Sequence, residues 1–224
     1  MSTRREVLVA GIGAAVAAAA AGAPAQAAAA PILDEAAFVA RIRSGAKHKQ
    51  AIGAARVNDA AALQFAVNTL NGFQSGWNEP ASNVEIAVVL FGSACVLGLD
   101  DTAWQAHKIA DIVRKFPGEW LTPEASQGNP WSHLAGTTAG PRGDRSIPAL
   151  VARKVRIAVC NTALGEIANR IVAAGTTAGA GTDAFAIQAH LREHILPGCD
   201  VVPAGISSVA VLQENGYTYF SAAL

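Results

Sequence analysis

The chain has 224 residues, 51% of them hydrophobic, and its 17 basic and 17 acidic side chains give a formal net charge of zero. That length allows one domain or two small ones with a sizeable core. The charge balance excludes the electrostatic footprint of a nucleic-acid binder or of a protein held on an anionic membrane, so small molecules or proteins are the expected partners.

Ser2-Thr3-Arg4-Arg5-Glu6-Val7-Leu8 leads into an apolar Ala/Gly-rich run to Ala21 and then Ala25-Gln26-Ala27. The paired arginines, the apolar run and the Ala-x-Ala site resemble a twin-arginine export signal over residues 1–27, cleaved after Ala27. The run is weakly apolar and shorter than the ~20 residues a spanning helix needs, so no stable membrane span is expected. The mature protein should be soluble and exported, in the periplasm or beyond. Residues 28–46 form an N-terminal segment in which 32–44 predicts an amphipathic helix, with Phe38, Val39 and Ile42 on one face. The domain proper spans 47–224.

Residues 47–55 predict a short strand, weakened by Gly53. Asn58-Asp59 supplies an N-cap for a helix over 60–73. Val84 to Phe91 is the clearest strand and is expected to be central, with Gly92-Ser93-Ala94 turning toward Cys95. A helix over 102–116, capped by Asp100 or Asp101, stops at Pro117. Residues 118–146 lack a sustained period and read as a long loop of the lid, insertion or oligomer-contact kind, with Trp131 and His133 as its notable side chains. A short helix at 147–152 precedes the β-branched strand that ends in Cys160, and a helix covers 163–172. Gly175 to Gly181 is glycine-rich but lacks a Gly-Lys-Ser/Thr ending and follows no strand, so it reads as a linker rather than a phosphate loop. A helix over 182–196, a strand at 200–202, a helix over 206–215 and an edge strand at 217–220 complete the chain. Five strands alternating with helices make one α/β domain with a mainly parallel sheet.

Cys160 closes Val155-Arg156-Ile157-Ala158-Val159 and is followed by Asn161-Thr162 at a helix start. Open α/β sheets bind ligands at this carboxyl rim, and the helix-end dipole favours thiolate over thiol. Cys160 is therefore the candidate nucleophile, with Cys95, Asn161 and Thr162 as candidate neighbours. The competing reading is a buried structural cysteine. Cys95 also follows a strand's carboxyl end and could share the rim with Cys160, whereas Cys199 precedes its strand and lies at the other end of the sheet. His190-Leu191-Arg192-Glu193-His194 matches the inverted zinc-protease pattern His-x-x-Glu-His. Five residues match by chance easily, and basic side chains suit a helix C-terminus, so the expectation is a solvated helix end, with neither metal nor cofactor.

Asp200-Val201-Val202-Pro203-Ala204-Gly205-Ile206, followed by Val211-Leu212-Gln213-Glu214-Asn215-Gly216-Tyr217-Thr218-Tyr219, resembles the C-terminal signature of the DsrE/DsrF-like family. Val159-Cys160-Asn161-Thr162-Ala163-Leu164 resembles that family's cysteine-bearing strand end, and the resemblance covers about residues 47–220. It implies a three-layer α/β/α domain assembling as trimers or hexamers. It also implies a cysteine at position 160 that carries sulfur as a persulfide between donor and acceptor proteins. The export signal and the 118–146 segment depart from the family's cytoplasmic relay proteins. The alternative is a non-catalytic periplasmic module that binds a ligand or builds an oligomer on the same fold.

Overall fold

The computed structural model describes residues 28–134 and 143–222, and the export-signal reading at 1–27 lies outside them. Five strands form one sheet: β1 (His48–Ala54), β2 (Val84–Leu90), β3 (Arg156–Cys160), β4 (Cys199–Val202) and β5 (Thr218–Ser221). Their order is β4-β3-β2-β1-β5, and every neighbouring pair is parallel. The α/β architecture with helices on both faces therefore holds, and β2 is the central strand.

Side-chain alternation divides the core in two. Ile52, Ile86, Val88, Leu90, Ile157 and Val159 face one layer of helices. That layer comprises α2 (Ala61–Asn71), α3 (Asp101–Ala106), α4 (Ile109–Val113), α5 (Ile147–Ala152), α6 (Asn161–Ala174) and α7 (Ala184–Glu193). Ala51, Ala87, Val89, Ala158 and Val202 face the other layer, α1 (Glu35–Ile42) and α8 (Gly205–Glu214), through Phe38, Ile42 and Leu212. Small residues dominate this second face, so α8 can lie close to the sheet. All seven residues of β2 are buried. Each large aliphatic side chain among them stabilises the fold by about 1.5–3 kcal/mol relative to exposure.

Gly53, which weakens the sequence signal of β1, has a packing reason: the Tyr219 ring of β5 lies where a Cβ at position 53 would sit. Two expected elements differ. The helix expected over 102–116 breaks into α3 and α4 at His107-Lys108, where Lys108 takes a left-handed φ of 50°. Asp100, one of the two expected caps, accepts from the Ala103 N–H at 3.0 Å. The expected Asn58-Asp59 cap also fails. Asn58, Asp59 and Ala60 all adopt positive φ (39°, 50° and 54°), and no side chain caps α2 from there.

Candidate functional site

β3 delivers Cys160 to the carboxyl rim, where it becomes the N-cap of α6. Its Sγ accepts the Ala163 N–H at 3.3 Å, taking up one of the donors that a helix start leaves without an intrahelical partner. Fourteen residues of α6 put the positive end of a helix dipole on that sulfur. Cys160 is only 4% exposed and is part of the larger core. Geometry therefore supplies anion stabilisation but little open surface.

Cys95 lies within the 3₁₀ segment Gly92–Gly98 that continues from β2, and it is fully buried. Burial pushes its thiol well above the ordinary range, and the negative charge Cys160 would carry pushes it further. The two sulfurs thus share one electrostatic neighbourhood, in which burial and the nearby Cys160 both disfavour a Cys95 thiolate. All three cysteines are free thiols. Cys199 pairs with Ile157 at the amino end of the strands while Cys160 pairs with Val202 at the carboxyl end, which keeps Cys199 off the rim. Its thiol is also pushed up, first by burial and then by Asp200.

The candidate neighbours Asn161 and Thr162 turn their polar groups elsewhere. Asn161 accepts from the Gln188 amide through its backbone oxygen (2.7 Å) and its Oδ1 (3.1 Å), joining α6 to α7. The Thr162 hydroxyl and N–H both donate to the Pro203 carbonyl, at 3.0 and 3.2 Å, joining α6 to the end of β4. Both residues hold the helix start in place around the thiol through hydrogen bonds to Gln188 and Pro203 rather than to the sulfur.

A second polar cluster occupies the rim beside β1. The Glu119 carboxylate accepts the Val57 N–H at 3.0 and 3.2 Å and the Asn58 N–H at 3.2 Å, and the Ser93 hydroxyl donates to it. At the turn after β1, a carboxylate arriving from the 118–134 stretch satisfies these N–H groups. This part of the expected loop is therefore docked on the rim. Its Trp131 is fully buried, and the Asn129 amide donates to the carbonyls of Leu97 (2.9 Å) and Leu99 (2.6 Å). His133 lies 2.6 Å from the Asp101 carboxylate, while Trp120 stays exposed. Sequence reasoning misses Glu119 because its backbone partners lie 61 and 62 residues away and it follows no capping pattern.

No family model, curated protein or solved structure matches this chain. Among the described residues, no helix is long and apolar enough to cross a membrane.

Proposed function

We propose that the chain is an exported, DsrE/DsrF-like sulfur-handling protein in which Cys160 carries sulfane sulfur as a persulfide. The observation that carries this reading is the Ala163 N–H aimed at Sγ from the start of α6, at the carboxyl rim of a parallel sheet. The Cys160 thiolate attacks the outer sulfur of a donor persulfide, RSS⁻. A new S–S bond forms on Cys160, the donor's S–S bond breaks, and RS⁻ leaves with the electron pair. An acceptor thiolate then takes the outer sulfur and releases the Cys160 thiolate, so the cycle needs no external oxidant. Cys95, held protonated by burial, does not compete as a nucleophile. The small exposure of Cys160 suits a compact persulfide or polysulfide anion, or a donor protein whose docking opens the rim. The resemblance extends the reading to trimeric or hexameric assembly in the periplasm.

The 4% exposure of Cys160 favours a second reading, in which the thiol is structural and the fold serves as a binding or assembly module. The edge strand β5 supports it, because Tyr219 and Phe220 are each 42% exposed there. One experiment separates the two readings. The first expects the intact protein to gain the mass of one sulfur atom when incubated with polysulfide, and Cys160→Ser to gain none. An inert Cys160, with the oligomeric state measured by light scattering unchanged in Cys160→Ser, selects the second.

A further inference from the structure

Three of the five histidines meet where the end of α7 packs beside the α3–α4 break. His107 is fully buried; its Nδ1 lies 2.9 Å from the Thr176 carbonyl and its Nε2 lies 3.0 Å from the Nδ1 of His190. A carbonyl only accepts, so the His107 proton is on Nδ1. Charging a ring with no exposure is costly, so Nε2 stays bare and accepts from His190, whose proton must then be on Nδ1. The same logic fixes His194, whose Nδ1 lies 3.0 Å from the Asp100 carboxylate and donates to it.

Both rings of the His190/His194 pair therefore hold Nδ1–H toward an outer acceptor, so in the neutral tautomer the lone pair of each ring is on Nε2. Neither ring makes a further hydrogen bond among the described residues. Their spacing of four puts the rings on the same side of α7, with centroids 4.7 Å apart and planes tilted by 54°. His194 is 20% exposed at its side chain, so the pair lies at the surface rather than in the sealed core. Two imidazoles whose far nitrogens are fixed by a carboxylate and a second acceptor form the outer-shell arrangement of a histidine metal site.

We propose that His190 and His194 bind a divalent zinc-class cation through their Nε2 atoms, with Asp100 and His107 as positioning residues. Among the described residues, no three His, Cys, Asp or Glu side chains gather into a complete ligand set. Two imidazoles thus supply half of a tetrahedral shell, and water or an incoming anionic ligand supplies the rest. Such a site is an open one, able to hold an exchangeable anionic donor, and it stands independently of the Cys160 reading. A solvated helix end, expected from the sequence at His190-x-x-Glu-His194, provides no role for the buried His107 or for the orientation that Asp100 imposes.

The test is zinc titration of the full, metal-stripped protein by calorimetry, together with Cu²⁺ as a spectroscopic probe. One zinc per chain should bind, His190→Ala and His194→Ala should abolish binding, and Asp100→Asn should weaken it by about 10-fold or more. His48→Ala, at a site on β1 remote from α7, should leave it unchanged. The electron paramagnetic resonance spectrum of Cu²⁺ on the unaltered protein should show coupling to two imidazole nitrogens, a readout that needs no variant to fold. Absence of stoichiometric zinc binding at micromolar free metal, binding that survives both histidine replacements, or a copper spectrum with fewer than two imidazole nitrogens would overturn the proposal.

Discussion

Replacing Glu119 with alanine removes the side chain that joins the 118–134 stretch to the end of β1, and the consequence can be worked from its contacts. The carboxylate takes the N–H groups of Val57 and Asn58 and the Ser93 hydroxyl. Asn58 is only partly buried and can hydrate, and the Ser93 hydroxyl retains the Ala55 carbonyl at 3.2 Å. Val57 is fully buried, so its N–H is left without a partner. Hydrogen bonds to charged groups contribute about 1.5–3 kcal/mol, and an orphaned buried donor costs about 1–3 kcal/mol, two views of the same loss that should not be added. Glu119→Ala should therefore destabilise by about 2–3 kcal/mol, which for a domain of this size lowers Tm by about 5–10 °C. Differential scanning calorimetry reads it directly. Glu119→Gln should recover only part of the loss, since an amide offers one acceptor oxygen and brings two donors into a cluster of donors. If both variants melt within a degree of the unaltered protein, the carboxylate does not hold this turn and the docking of the segment has another cause.

Acid should destabilise the fold through His107. Burial first, and then His194, hold its imidazole below the ordinary 6.5, against the raising pull of the Thr176 carbonyl. The unfolded ring thus binds protons more readily than the folded one, so stability is complete above about pH 6.5 and falls as pH drops through that value toward the lower folded pKa. With chelator present, Tm should decline between pH 7.5 and 5, and His107→Gln should flatten the slope; equal slopes would refute the assignment. Gly92→Ala should also destabilise. Gly92 has φ of 52° and its added Cβ would overlap the Ala55 carbonyl, so a strain on the order of 1–3 kcal/mol is expected. Chemical denaturation with an unchanged midpoint would show that the turn after β2 relaxes without cost.

The parts of this fold that are legible in the sequence are those dictated by local chemistry. Val84–Leu90 is a nearly continuous apolar run because both faces of a central parallel strand are covered, whereas a strand with one wet face would alternate with polar residues. Cys160 can be placed at a strand–helix junction by the same local pattern. What escapes depends on contacts between distant residues. Nothing near Asn58 indicates that Glu119 will satisfy its N–H, so the local pattern suggests a cap where a distant carboxylate does the binding. The break at Lys108 is equally hidden, since the residues on both sides of it suit a helix. His190 and His194 are conspicuous by spacing, but their tautomers are set by His107 and Asp100, which approach from other elements. The accessibility of the Cys160 thiol belongs to this second group: the sequence locates the sulfur, and packing sets its exposure.

The strand order has a consequence for biogenesis. β5 (Thr218–Ser221) pairs with β1 (His48–Ala54), so the strand of this sheet made last covers the flank of the one made first. During translation that flank stays unpaired until Ser221 has left the ribosome, and an uncovered strand edge invites association with other chains. Closure of the sheet thus waits for more than 160 intervening residues, about as long a delay as this fold permits. Removal of residues 218–221 should accordingly impair folding yield more than removal of residues 28–31.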